Sequence, residues 1–212
     1  MRSTAELLLL FVIFSDFAVL GTSRLSACIR AVALQGALLG ILPLLLGDAG
    51  SIHTIALAVG TVAVKAFVLP WFLRWAIREA SVRREMEPRV GYMASLLLGT
   101  LALGIAFAVA NRLPTFAMTS LLVPAALVTM IIGLMVLIIR TKAVSQVLGY
   151  LMLENGVYLF GLTQANRVPF LVEIGVLLDV FVGVFIMGIV VFHINREFDS
   201  ISSTRLSELR ES

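Results

Sequence analysis

Long apolar stretches, each of about 20 residues and separated by short polar turns, run through most of this sequence of 212 residues. Hydropathy places them at 5–22, 26–46, 52–75, 91–111, 115–139, 145–163 and 169–194. A helix of about 20 apolar residues crosses the hydrocarbon core of a bilayer. Hydrophobic residues make up 60% of the chain and charged residues 14%, which excludes a water-soluble fold. The predicted fold class is an all-α integral membrane protein with about seven transmembrane helices.

Turns and charged segments divide the chain into four predicted parts. The loop 76–90 is the longest polar connection, and in it arginines alternate with glutamates. We expect a three-helix membrane unit with its cytoplasmic loop at 1–90, a linking transmembrane helix at 91–114, a second three-helix unit at 115–194, and a cytoplasmic tail at 195–212. These parts leave no length for a soluble catalytic domain.

The distribution of lysine and arginine predicts the orientation of the chain, because positively charged loops stay in the cytoplasm. One side of the predicted membrane carries Arg2, Arg112 and Arg167. The other side carries Arg24, Arg74, Arg78, Arg83, Arg84, Arg89, Arg140, Lys142, Arg196, Arg205 and Arg210. The second side is therefore cytoplasmic, and the N-terminus faces out. The net charge of +3 follows from this topology and gives no sign of nucleic-acid binding.

The sequence offers no pattern for a metal or a redox group. Cys28 is the single cysteine, so an intrachain disulfide is excluded, and no cysteine or histidine spacing is suited to zinc, haem or an iron–sulfur cluster. We expect no cofactor in this chain.

Five ionisable residues fall inside the predicted spans, namely Asp16, Arg30, Lys65, Glu154 and Asp179. A charge at the centre of a bilayer costs about 2.5 to 3.5 kcal/mol on insertion scales, so each must meet a partner or water. Asp16 and Arg30 lie equally far from the turn that joins their helices. We expect them to form a structural ion pair, with a proton or partner path as the alternative.

Glu154 and Asp179 are predicted close to the middle of the membrane on the last two spans. Tyr150, Glu154 and Tyr158 recur at intervals of four residues, and Asn155 widens this polar stripe. Intramembrane ionisable residues are usually functional. The expected role of the two acids is proton handling, and the alternative is a static hydrogen-bonded contact.

Lys65 lies near the middle of the third predicted span, five residues before Pro70. Proline removes the amide hydrogen that would bond the carbonyl of Ala66, which predicts a kink beside the lysine. Lys65 joins the predicted proton path, and the alternative is a simple pair with a carboxylate of another helix.

The last 80 or so residues resemble a known family. They run from a helix through a basic turn, Arg140 to Lys142, to the stretch VLGYLMLENGVYLF and then a third helix with a polar tail. This order is similar to the K subunit of bacterial respiratory complex I and the C subunit of multisubunit sodium/proton antiporters. Gly149, Asn155, Asp179 and Gly183 match the marker residues of that family. The resemblance implies that Asp179 has the role of the third-helix acid, whereas Glu154 lies three residues beyond the position of the second-helix acid.

Over its whole length, with the extra N-terminal spans and the lysine followed by proline, the chain resembles the E component of hydrogenase-4-type membrane-bound hydrogenases. This implies an accessory, non-catalytic membrane-arm subunit of a proton-translocating complex of the hydrogenase or formate hydrogenlyase kind, in the cell inner membrane. NiFe and iron–sulfur centres are expected in partner subunits. The expected partners are antiporter-like membrane proteins, a membrane protein similar to the H subunit of complex I, and a peripheral hydrogenase module. The alternatives are a stand-alone secondary transporter and a purely structural membrane scaffold.

Overall fold

The structure is a computed structural model that describes residues 2–46, 51–79, 90–113, 120–140, 143–163 and 181–188. The regular elements in these ranges are helices. They are α1 (Arg2–Gly21), α2 (Leu25–Leu46), α3 (Ile52–Thr61), a π-helical segment (Val62–Val68), α4 (Leu69–Glu79), α5 (Tyr92–Ala110), α6 (Leu122–Ile139) and α7 (Ala143–Thr163). Residues 181–188 are also helical.

Five helical stretches are long and apolar enough to cross a membrane: Ser3–Gly21, Leu25–Leu46, Thr54–Arg78, Tyr92–Ala110 and Leu122–Ile139. The third of these runs through α3, the π-helical segment and most of α4 without a break. The 21 residues of α7 also suffice in length, but polar residues such as Glu154 and Asn155 lower the hydropathy of this helix. The predicted all-helical membrane protein is confirmed for the described part of the chain, while the count of seven spans and the outward N-terminus stay predictions.

Helix α2 lies at the centre of the described bundle. It contacts α1, α3, the π-helical segment, α4 and α7. Helix α1 also packs against α5 and α6. Buried leucines and isoleucines such as Leu9, Leu39, Ile132 and Leu148 fill the space between these helices. A polar side chain on the inner face of α2 therefore meets several helices at once.

Helices α6 and α7 form the most extensive helix pair among the described elements, because glycines let their backbones approach closely. A methyl group on Gly149 would lie 2.5 Å from the amide nitrogen of Leu137, and one on Gly156 would lie 2.6 Å from that of Met130. Small residues at helix contacts are a usual device of membrane helix pairs, since they permit close van der Waals packing. This contact fixes the position of Glu154 and Asn155 on α7.

The π-helical segment carries Lys65 and ends just before Pro70. The amide of Leu69 donates to the carbonyl oxygen of Val64, five residues earlier, which is the π pattern. Proline at position 70 has no amide hydrogen for the carbonyl four residues before it. Lys65 is the buried residue of this segment, so the irregular turn coincides with the side chain that faces the bundle.

Arg140, directly after α6, is 2% exposed and joins three helices. Its guanidinium donates to the carbonyl oxygens of Val19 and Leu20, at 3.5 and 3.3 Å, and lies 5.5 Å from the ring centroid of Tyr92. The C-terminal end of a helix carries partial negative charge, which attracts a cation. Arg140 thus holds the end of α1 against α6 and the start of α5, a structural role that the sequence did not reveal.

Candidate functional site

The strongest candidate site is a buried ion pair between Lys65 of the π-helical segment and Glu154 of α7. The Lys65 Nζ atom donates a hydrogen bond to Glu154 Oε1. The two side chains are 4% and 1% exposed. The ring of Tyr158, one turn after Glu154 on the same helix, has its centroid 5.9 Å from Lys65 Nζ, within the range of a cation–π contact. Two residues from distant parts of the sequence thus meet inside the bundle.

The backbone of α2 supports Lys65 from the other side. A methyl group on Gly36 would lie 2.5 Å from the Cβ atom of Lys65 and 2.9 Å from its carbonyl carbon. Gly40, one turn further along α2, packs in the same way against Val62. These glycines bring α2 and the π-helical segment together, and Gly36 therefore positions the lysine. The spacing of Gly36 and Gly40 by four residues was the available signal in the sequence.

A second buried polar cluster lies around Asp16 of α1, whose relative exposure is 0%. The Gln35 side chain of α2 donates from Nε2 to Asp16 Oδ1 at 2.6 Å and to the carbonyl oxygen of Val12 at 3.3 Å. The Thr129 hydroxyl of α6 is 2.7 Å from Asp16 Oδ2. Asn155 of α7 donates from Nδ2 to Gln35 Oε1 at 3.3 Å. The cluster therefore joins four helices through side-chain hydrogen bonds.

The two clusters meet at α7, because Glu154 and Asn155 are consecutive residues. Successive side chains of an α-helix point about 100° apart. Glu154 turns toward the π-helical segment, whereas Asn155 turns toward α2. A row of buried polar groups thus extends across the bundle from Thr129 on α6 to Lys65.

The predicted ion pair of Asp16 with Arg30 was wrong. The structure brings Asp16 to Gln35 and Thr129 instead, and the side chain of Arg30 is exposed. Equal distance from the turn estimates the depth of a residue in the membrane, but it says nothing about the side of the helix on which the residue lies. Arg30 and Gln35 are five residues apart, which places them about 140° apart around α2. The face that meets α1 is the face of Gln35.

The predicted polar stripe of α7 divides into separate contacts. Asn155 and Tyr158 are buried and belong to the two clusters described above. Tyr150 is half-buried and lines a cavity of about 330 Å³ together with Gln146, Leu137, Val147, Phe181, Val182 and Phe185. This cavity lies between α6 and α7 on one side and the helical stretch 181–188 on the other.

Some predicted features have no counterpart in the described ranges. Asp179 lies outside the described residues, so its predicted place in the proton path stays a prediction.

Within the part of the chain that the structure describes, no group of three or more histidine, cysteine, aspartate or glutamate residues is arranged to hold a metal ion. Conversely, Gln35 and Thr129 belong to the observed Asp16 cluster, although the site predicted from the sequence did not include them. Only their position within apolar spans gave a signal.

The five long apolar helices and the buried ion pair define a multi-pass helical membrane protein with a buried polar centre. The chain is 36% identical over 191 residues to the uncharacterized protein Rv0085 of Mycobacterium tuberculosis, and the alignment covers 88% of this chain and 87% of the mycobacterial one. The chain belongs to the same family as that protein. No model of a known protein family matches the sequence, and no solved structure matches it.

Proposed function

We propose that this chain is an accessory membrane-arm subunit of a proton-translocating, membrane-bound hydrogenase-type complex in the cell inner membrane. Lys65, Glu154 and Asp179 contribute to a lateral proton path in this subunit. NiFe and iron–sulfur centres, and with them the redox catalysis, belong to partner subunits. The partners are antiporter-like membrane proteins, a membrane protein similar to the H subunit of complex I, and a peripheral hydrogenase module.

The observation that carries this proposal is the ion pair of Lys65 with Glu154. Both side chains are almost fully buried, and isolated buried charges are expensive in a membrane. Replacing a buried ion pair with apolar residues is often neutral or stabilising, so stability alone is a weak reason for such a pair. A pair of proton-exchanging groups in the middle of the bundle, beside a row of further polar side chains, suits proton transfer across the subunit.

The resemblance of the sequence to hydrogenase-4 component E and to the K subunit of complex I supports the kind of complex. It rests on Gly149, Asn155, Asp179 and Gly183 and on the lysine and proline of the third span. Gly149 lies in close contact with the backbone of α6, which is a physical reason for a glycine at this position of the family pattern. Glu154, which is displaced by three residues from the expected position, gains support from its contact with Lys65.

The proposal is tested by neutralising the path in the assembled complex. We expect Lys65→Met, Glu154→Gln and Asp179→Asn to leave electron transfer to an artificial acceptor near its normal rate, because the redox centres lie elsewhere. Proton translocation per electron, measured in sealed vesicles with a pH-sensitive dye, should fall in each variant. Combined changes should be no worse than the most severe single change if the groups share one path.

Arg30→Gln serves as the control, since it removes a charge from an exposed position of α2. It should leave coupling unchanged. Normal coupling in all three path variants would refute the proton path and favour a scaffold, for which only assembly should suffer. Purification as a homogeneous oligomer without redox partners would favour a stand-alone transporter.

A further inference from the structure

We propose that Asp16 is a second proton-binding site of this chain, which holds or releases a proton while keeping the same hydrogen-bond partners. The proposed path assigns protons to Lys65, Glu154 and Asp179 only. Asp16 lies on a different helix, α1, and its carboxyl group is fully buried. The geometry of its two partners carries the inference.

Each oxygen of the Asp16 carboxyl group has one close partner. Oδ1 is 2.6 Å from Gln35 Nε2, and Oδ2 is 2.7 Å from Thr129 Oγ1. Gln35 also donates to the carbonyl oxygen of Val12, so both hydrogens of its amide nitrogen are used on α1. Its oxygen then accepts from Asn155. The orientation of the Gln35 amide is thereby fixed, with a donor toward Asp16.

The Thr129 hydroxyl allows the site to satisfy both protonation states. A hydroxyl both donates and accepts, whereas an amide nitrogen only donates. When Asp16 is ionised, Thr129 donates to Oδ2. When Asp16 is protonated, the Oδ2 hydrogen is donated to Thr129 Oγ1, and the hydroxyl donates its own hydrogen to a backbone carbonyl of the preceding turn of α6, the usual acceptor for a threonine in a helix. Gln35 donates to Oδ1 in both states, so no buried group of the carboxyl loses its partner.

The exchange itself is an ordinary acid–base step. The proton on Oδ2 passes to a water molecule, which leaves a carboxylate and a hydronium ion, and the reverse step restores the acid. Among the described elements, the helices that pack most closely against α1 are α2, α5 and α6. Their titratable side chains are Cys28 and Arg30 on α2 and Tyr92 on α5, and Arg140 follows α6. Arg30 is exposed, and Arg140 bonds the carbonyls at the end of α1.

The geometry favours a proton over a sodium ion as the bound species. A cation site needs several oxygen ligands directed at one point. Here the amide nitrogen of Gln35 points its hydrogen at Oδ1, and a cation beside it would be repelled. Both carboxyl oxygens already have partners at hydrogen-bond distance.

The inference rests on the proposed function only for what the exchanged proton is used for. Gln35 links Asp16 to Asn155 through hydrogen bonds, and Asn155 is the residue next to Glu154. Through this chain the charge of one acid would influence the protonation of the other. Proton binding at Asp16 can nevertheless be measured on the isolated chain. Its outcome is thus independent of coupling in the complex.

The test is infrared difference spectroscopy of the full-length chain in phosphatidylcholine nanodiscs, titrated from acid to alkaline pH in potassium chloride. We expect a protonated-carboxyl band that is replaced by a carboxylate band as the pH rises. The band should be lost in Asp16→Asn and retained in Glu6→Gln, which removes a partly exposed carboxyl group from the same helix. A titration of Asp16→Asn identical to that of the unmodified chain would overturn the inference.

A second pair of variants covers the case in which Asp16→Asn does not fold. Thr129→Ser keeps the hydroxyl group and should leave the band in place. Thr129→Val removes the hydroxyl group and should shift the band. Equal spectra for the two variants would also overturn the inference. Replacing potassium with sodium should not change the titration, and a sodium-dependent titration would overturn the proton site in favour of a cation site. If the band behaves as expected while coupling in the complex survives Lys65→Met, Glu154→Gln and Asp179→Asn, the proposed function fails and the proton site stands.

Discussion

The buried pair of Lys65 and Glu154 makes a quantitative prediction for a double-mutant cycle. Lys65→Met removes the cation, and Glu154→Gln removes the anion with little change in shape. Because the side chains are 4% and 1% exposed, either single change leaves the other charge buried without this opposite charge beside it. Removing one member of a buried pair costs about 3 to 5 kcal/mol of the free energy of unfolding.

The double variant leaves neither charge in the bundle, so its cost should be well below the sum of the two single costs. We expect an interaction free energy of about 3 kcal/mol, at the top of the range for residues in direct contact. The assay is unfolding of the purified chain in mixed detergent micelles. It can be followed through the fluorescence of Trp71 and Trp75, which both lie on α4.

Arg30→Gln is the matched control for the loss of a charge from a predicted membrane helix. Its side chain is exposed, and substitutions at such positions usually change stability by no more than about 0.5 kcal/mol. Additive costs for Lys65→Met and Glu154→Gln would refute the reasoning, because additivity means that the two charges do not depend on each other.

Three further predictions concern packing, the Asp16 cluster and topology. Gly149→Ala should lower the free energy of unfolding by about 1 to 3 kcal/mol, because the added methyl group overpacks the contact with α6. Gly104→Ala should not destabilise the protein, since the space around Gly104 is open. Thermal unfolding in detergent measures both variants. Adding Arg30→Gln to Asp16→Asn should not restore any protein level that Asp16→Asn loses, since the two residues are not paired, and recovery in a membrane immunoblot would contradict this. Reporter fusions should place the predicted loop 76–90, of which residues 76–79 form the end of α4, and the C-terminus in the cytoplasm; a C-terminus on the outer side would contradict the seven-span topology.

The sequence predicted the class of fold and singled out two charged side chains that prove to be buried, because both depend on local composition. A run of about 20 apolar residues is a transmembrane candidate whatever surrounds it. A lysine or glutamate in such a run needs a partner for the same reason. Hydropathy could therefore single out Lys65 and Glu154 without any knowledge of which helices touch.

The partners could not be predicted, because they depend on how each helix is rotated and on which helices are neighbours. Asp16 was assigned to Arg30 on depth alone, and the rotation of α2 gives it Gln35 instead. Thr129 belongs to a helix more than 100 residues away in the sequence. A threonine in an apolar helix is common, and only the packed bundle distinguishes this one.

The surroundings of Lys65 suggest why a charged residue and an irregular helix occur together in the third span. Pro70 prevents regular hydrogen bonding just after the lysine, and the π-helical turn carries Lys65 on its buried side. Gly36 then lets α2 pack directly against the lysine backbone. A regular helix, or a larger residue at position 36, would alter the direction of the lysine side chain relative to Glu154. The ion pair therefore depends on three features that are separate in the sequence: the proline, the glycine of α2 and the carboxylate of α7.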